Sequence, residues 1–212
     1  MEESKIREVL NRVKQTLGLM KNSLDRLTNI NDINQRRADI ANVIIWGRAI
    51  TFVVQNLRSA VGGKVFDSWY ESYLTEMKSS ELLKKFKDVR NELEKEGNLR
   101  TLGSGTIDHL DSKDIDYLNR IAPKNAVSIF LGDQLGGSGY NVKLSDGTIE
   151  TVYVNFGDVA NRMNFIVHLM SKPFLHLNNI IEDTSIENCC LLYYEYLMKI
   201  YNDAVFKFLM KG

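Results

Sequence analysis

The stretch Arg90-Asn91-Glu92-Leu93-Glu94-Lys95-Glu96-Gly97-Asn98-Leu99 holds the residues best suited to chemistry in this 212-residue chain. Helical spacing sets Arg90 beside Glu94 and, one position further round the same side, near Lys95. One patch would then carry a fixed guanidinium, the Asn91 amide and a second cation, a donor set able to grip a phosphate. The competing reading is a solvated helix-end cluster in which Glu92, Glu94 and Glu96 balance the two cations.

Other constellations carry less. The glycine-rich stretch around Gly132, Gly136, Gly137 and Gly139 lacks the Lys-Ser/Thr of a phosphate-binding loop, so a turn between strands is expected. His168 and His176 stand upstream of Cys189-Cys190 at no zinc-ligand spacing and among apolar residues. No metal and no cofactor is expected. His109 with Asp108 and Asp111, near Ser104, sits in a polar stretch that supplies such residues by chance. Tyr193, Tyr194, Tyr196 and Tyr201 have only Lys199 among them, whereas base stacking needs rings interleaved with cations, so they are read as core.

Several elements must position the Arg90 patch. Ile6, Leu10, Val13, Leu17, Met20, Leu24 and Leu27 recur at steps of four and three, the seam of a first helix expected to pack in a bundle. Residues 28–32 break the pattern. A second, central helix is expected over 34–60, apolar on more than one stripe, and Gly62-Gly63 should end it. Phe66, Trp69, Tyr70, Tyr73, Leu74 and Met77 mark a third helix. Ser79 or Ser80 caps a fourth, carrying Leu82, Leu83, Phe86, Val89 and Leu93 until Gly97-Asn98 stops it.

Residues 101–124 read as a polar connection with one helical turn near 115–120. Beyond them the period changes to alternation, with Asp146-Gly147 between two such runs signalling a hairpin over 140–156 and a type I′ turn. Helix is expected again over 158–171, interrupted by Pro173, and from Thr184 to the C-terminus, where Thr184 and Glu187 form a capping box. That last helix is expected to lie between sheet and bundle. The organisation is then 1–100, a helical bundle; 101–124, the connection; and 125–212, a hairpin with helices packed on the bundle. The fold class is α+β, an N-terminal antiparallel helical bundle followed by a small antiparallel sheet with covering helices.

Lys plus Arg equals Asp plus Glu at 27 each, so no global field holds a nucleic acid, and any such binding must come from a local patch. Met1-Glu2-Glu3-Ser4-Lys5 lacks a basic lead followed by an apolar run, so no secretory signal is expected, and no segment is expected to span a bilayer without charge. A cytoplasmic protein without a membrane partner is expected. Cys189 and Cys190 are adjacent, with Cα atoms about 3.8 Å apart, closer than ordinary disulfide geometry accepts.

The helices followed by Arg90-Asn91 and a functional residue five positions after the Arg resemble the HEPN superfamily (higher eukaryotes and prokaryotes nucleotide-binding), whose motif is Arg, four to six residues, then His. Phe66, Trp69 and Tyr70 are similar to the Phe-x-x-Trp-Tyr helix of a bacterial group of such proteins. The resemblance covers residues 34–100, and Lys95 occupies the His slot. It implies a homodimer whose two motifs line one cleft and cleave RNA without a metal, through attack of the 2′-hydroxyl, in a bacterial defence or toxin system. Lys95 departs from this, since an ordinary Lys titrates far above neutral pH and is a poor base. Lys95 is still expected to bind a phosphate or to stabilise a developing charge. The expectation is therefore a module that binds RNA or a nucleotide, with weak or absent cleavage: Arg90 grips phosphate, Asn91 orients it, and Lys95 supplies the second cation. The alternative is a non-enzymatic interaction protein that meets a protein partner through the seam of its first helix and the edge of its hairpin.

Overall fold

A computed structural model describes residues 3–27, 33–97, 99, 101–134 and 136–210, the side chains of 33, 161, 163 and 165 excepted. The fold is α+β, an N-terminal helical region followed by small antiparallel sheets and helices. The chain divides into two compact units, Met1–Leu99 with Met170–Gly212, and Arg100–Leu169.

The first unit begins with α1 (Glu3–Leu27), α2 (Ile33–Gln55), α3 (Leu57–Val61), α4 (Gly63–Ser79) and α5 (Glu81–Glu96). All seven seam residues of α1 are buried, none more than 5% exposed, and α1 packs on α2 and on a C-terminal helix. The chain's own helices cover this seam, as expected of the first helix of a bundle. The expected second helix is two, because the Asn56 amide bonds to the Val53 carbonyl one residue early and breaks the α ladder between α2 and α3. Asn34–Val61 is long and apolar enough to cross a membrane by length and composition alone, yet it carries the charges of Arg36, Arg37, Asp39, Arg48 and Arg58. Its Ile40, Val43, Ile44, Ile50 and Val54 are buried within the protein.

Two helix ends follow their sequence signals. Gly62 takes a positive φ of 92° between α3 and α4. Ser80 caps α5, its Oγ accepting from the Leu83 amide at 3.2 Å, and Gly97 closes that helix in the left-handed region. Residues 28–32 and Asn98 lie outside the described residues. Under α4, the rings of Phe66, Trp69, Tyr70 and Tyr73 pack on one another, and Trp69 also packs on Phe208. Trp69 Nε1 and the Tyr73 hydroxyl both donate to Asp203 Oδ2 at 2.6 Å, which fixes α4 against the C-terminal end of the chain.

Asp39 of α2 is fully buried and accepts from Arg26 and from Gln35, the latter at 3.0 Å. Burial alone would raise its pKa; the hydrogen bonds from Arg26 and Gln35 outweigh it and hold the carboxyl below its usual value. A depressed folded-state pKa means that this stabilisation is present above the ordinary carboxylate range and disappears as pH falls through the folded pKa. Urea midpoints for wild type should therefore hold from pH 7 to 5 and fall below about pH 4. Asp39→Asn should flatten part of that acid limb.

The second unit replaces much of the expected connection with structure. Residues 102–107 form β1 (Leu102–Ile107), antiparallel to β5 (Met163–His168), and α6 (Ser112–Ile121) follows, opened by a reciprocal Asp111/Asp114 capping box. Every residue of β1 is exposed, so it lacks the alternation that would mark a strand, and its pairing partner stands some sixty positions away. The helix expected over 158–171 is likewise corrected: only α7 (Asp158–Asn161) is helical before β5. Pairing with β1 wins over local propensity there.

A three-stranded sheet runs β2 (Ala126–Phe130), β3 (Gly139–Lys143), β4 (Ile149–Tyr153) in that order. Leu118 of α6, Tyr140 and Val142 of β3, Val159 of α7, and Phe156 just before α7 form its core. The expected hairpin joins β3 and β4, but its turn is not type I′. In it only Gly147 has positive φ, 89°, and its amide bonds to the Leu144 carbonyl, the pattern of a type I turn closed by a left-handed glycine. The two adjacent positive φ values of a type I′ turn occur instead at Leu177 and Asn178, between β6 (Phe174–His176) and β7 (Asn179–Ile181) in the first unit. Gly147→Val should cost about 1–3 kcal/mol from backbone strain alone, since a Cβ there meets nothing within 4 Å. A thermal melt would register this as a drop of several degrees, and Gly147→Asn should recover most of it. An unchanged melt for Gly147→Val would refute this turn geometry.

The last helix, α8 (Ile186–Val205), is capped by Ser185, whose hydroxyl accepts from the Asn188 amide, and not by the expected Thr184/Glu187 box. Glu187 instead pairs with Arg36 of α2. α8 packs on α1, α2 and α5 within the first unit. Cys189 and Cys190 are free and fully buried there, burial pushing the Cys189 thiol up to about 12.

Candidate functional site

Four helices of the first unit each turn one face toward a cavity of about 350 Å³, within the roughly 300–1,000 Å³ range of small-molecule sites. The faces are helical in spacing. From α2 come Ile44, Arg48 and Thr51; from α4, Leu74, Met77 and Lys78; from α8, Tyr193, Tyr196 and Leu197. α5 gives Leu83, Lys84, Phe86, Lys87 and Arg90. Each helix thus contributes through i, i+3 and i+4 positions, which lie above one another on a helix surface.

The lining is cationic around an apolar floor. Arg48, Lys78, Lys84, Lys87 and Arg90 are all present, and no described lining residue carries a carboxylate. The three lysines are exposed, whereas the Arg90 side chain is only 17% exposed and Arg48 is half-buried. Charge is therefore layered, exposed ammonium groups outside and two guanidiniums within.

The guanidiniums are held but not saturated. Arg90 Nη2 donates to Asn91 Oδ1 at 2.5 Å, and Glu94 Oε2 stands 3.9 Å from Arg90 Nε, beyond hydrogen-bond range. Arg48 lies 3.8 Å over the Phe52 ring, with a long 3.4 Å contact from Nη1 to Thr51 Oγ1. Both Arg48 Nε and Arg90 Nε are buried without a hydrogen-bond partner among the described residues. Unsatisfied buried donors are scarce in folded proteins, and two of them line this one cavity.

Tyr193 forms the floor between them. Its ring stacks on Phe86 with centroids 4.3 Å apart and also crosses Gly47, where a Cβ would lie 2.3 Å from Tyr193 Cε1. Glycine is what lets α8 bring this ring so close to α2. Burial raises the Tyr193 phenol above its ordinary value, with Arg48 and Arg90 acting in the other direction, so the hydroxyl stays protonated at neutral pH. Tyr196 is anchored, its hydroxyl donating to the Tyr73 carbonyl at 3.0 Å.

Of the residues singled out in the sequence, Arg90 and Asn91 are brought together, one lining the cavity and the other bracing it. Lys95 is exposed near the end of α5 and is not among the cavity residues. Arg48, Lys78, Lys84, Lys87 and Tyr193 were missed. The available signal is Arg48, the only charged residue between Ile40 and Gln55, beside Gly47. His176 is buried against Ser80 Oγ at 2.9 Å, burial lowering its pKa, and belongs to the core. Ser104 meets His168, at 2.6 Å across β1 and β5, and not His109.

Residues 27–123 match the family described as Bacteriophage lambda protein ea47. The match covers less than half of the chain, so it is a similarity to that family. No curated protein and no solved structure matches the sequence. The ea47-like stretch carries α2, α4 and α5, three of the four cavity walls, with Arg48, Arg90, Asn91 and Lys95. It stops short of α8, so Tyr193 and Tyr196 lie outside it.

Proposed function

We propose that this protein binds the phosphate of RNA or a nucleotide in the cavity beside Arg90, and that it does so without cleaving the chain. The observation that carries the reading is the lining itself: five cations, no carboxylate and an aromatic floor. Arg guanidiniums offer bidentate donors that fit phosphate oxygens, and exposed lysines add attraction that weakens with salt. Cleavage of the HEPN type needs a group that exchanges a proton near neutral pH beside the Arg. No described lining residue is a histidine or an acid, and Lys95 stands in solvent.

The homodimer and the cytoplasmic setting belong to this proposal. The two free, buried cysteines support a reducing compartment. Four helices of one chain build the cavity, so binding does not wait on a second copy. The competing reading, a protein-interaction module, keeps one support, the exposed Val127, Ile129 and Ile149 on the outer strands of the β2-β3-β4 sheet.

The test incubates wild type, Arg90→Ala and Lys95→His with labelled RNA, following retention and fragmentation. Wild type should bind with marked salt dependence, Arg90→Ala should lose about tenfold or more in affinity, and no variant should cut. Cleavage by wild type that depends on Arg90 would overturn the non-cleaving reading. Absence of RNA and nucleotide binding in every variant would leave the interaction module.

A further inference from the structure

Granting the phosphate-binding reading above, the layering of charge in the cavity narrows the ligand. A terminal phosphate monoester carries about −1.5 to −2 charges at neutral pH and three outward oxygens, whereas an internal diester carries one charge and two free oxygens. A site for a diester would be an open groove that lets the chain enter and leave, with cations spread along it. Here Lys84, Lys87 and Arg90 follow one face of α5, and Arg48 lines the same cavity from α2. Two half-buried arginines line a cavity of about 350 Å³, and the three lysines around them are exposed.

We infer that Arg48, Arg90 and the Tyr193 hydroxyl form a receptor for one terminal phosphate monoester of a nucleotide, with Lys78, Lys84 and Lys87 receiving the charges that follow it. The Nε–H donors of Arg48 and Arg90 come from two different helices and lie buried without a hydrogen bond, so a phosphate that draws both side chains toward the cavity satisfies two donors at once. Asn91 holds Arg90 from the side, through Nη2, and leaves its Nε without a hydrogen bond. Tyr193 has no hydrogen bond to another described residue and electrostatically feels both arginines, which sets its hydroxyl in their shared field. The Phe86 ring stacked behind it keeps that hydroxyl in place. Glu94, whose side chain is 58% exposed and 3.9 Å from Arg90 Nε, is too far and too solvated to occupy the site itself. Free mononucleotide and the 5′ end of a strand present the same chemistry, and the experiment separates them.

The measurement is fluorescence anisotropy with a 3′-labelled RNA decamer bearing either a 5′-phosphate or a 5′-hydroxyl, competed by adenosine monophosphate or by adenosine. The 5′-phosphate decamer should bind on the order of tenfold tighter, the effect of charge-assisted hydrogen bonds to the extra charge. The monophosphate should compete and the nucleoside should not. Arg48→Gln and Arg90→Gln should each erase the preference while the lysines retain weak, salt-sensitive binding of both decamers. Each variant is checked by thermal melt, and the two lie on different helices, so misfolding of one leaves the other as the test. Competition by the monophosphate without binding of either decamer would uphold the receptor and name the free nucleotide as its ligand. Equal binding of the two decamers, still weakened by Arg90→Gln, would overturn the terminal-phosphate receptor and leave RNA binding standing. No binding of decamer or monophosphate would overturn both.

Discussion

Leu17→Glu is expected to unfold the helical unit, not to separate a dimer. Leu17 is 2% exposed in the middle of the α1 seam, so the substitution removes a buried aliphatic side chain and puts a carboxylate in its place. Truncation of a buried leucine alone costs about 2–5 kcal/mol, and an unpaired buried charge adds to it. That sum approaches the whole stability of an ordinary domain. Circular dichroism should show lost helix and a lost or much lowered melting transition. Leu19→Glu, two residues on and 45% exposed, should change neither by much. A folded Leu17→Glu monomer derived from a wild-type dimer would mean that the seam is an interface after all.

The second large effect is expected from a single methyl group. Gly47→Ala places a Cβ 2.3 Å from Cε1 and 2.8 Å from the hydroxyl oxygen of Tyr193. The ring cannot slide freely, since Phe86 stacks on its other side. Relief must come from moving α8 away from α2, or from turning Tyr193 out of the cavity. Overpacking of this kind costs about 1–3 kcal/mol. Ligand affinity should fall together with stability, because Tyr193 and Arg48 belong to the same cavity wall. In Tyr193→Leu the obstructing ring is gone, so adding Gly47→Ala to that variant should cost much less than adding it to wild type. Additive melting shifts would show that Tyr193 is not what Gly47 accommodates.

The legible parts of this chain are those whose causes are local. The α1 seam, the Gly62 break, the Ser80 cap, the Gly97 stop and the β3-β4 hairpin each rest on side chains within a few positions of one another. Even there, fine geometry is not local: Asp146-Gly147 spells a type I′ turn and Thr184 a cap, whereas only Gly147 takes positive φ in that turn and Ser185 caps the helix. Strand β1 was illegible for a different reason. Leu102-Gly-Ser-Gly-Thr-Ile107 has no apolar alternation and becomes a strand only because Met163–His168 supplies its hydrogen-bonding edge.

The candidate site divides in the same way. Arg90 and Asn91 drew attention as neighbours on one helix, and their mutual hydrogen bond is a local fact. Lys95 was grouped with them by helical spacing. The cavity lies on the side of α5 marked by Leu83, Phe86, Lys87 and Arg90, and Lys95 falls off that face. Arg48, forty-two positions before Arg90, and Tyr193, more than a hundred after it, joined the site only when α2, α5 and α8 packed together. The sequence by itself determined which segments are helical and which faces are apolar, because a 3.6-residue period is written in consecutive side chains. Which cations share a cavity was decided by helix packing, an arrangement fixed by the whole core and by one glycine at Gly47, and so written nowhere in the spacing of the motif.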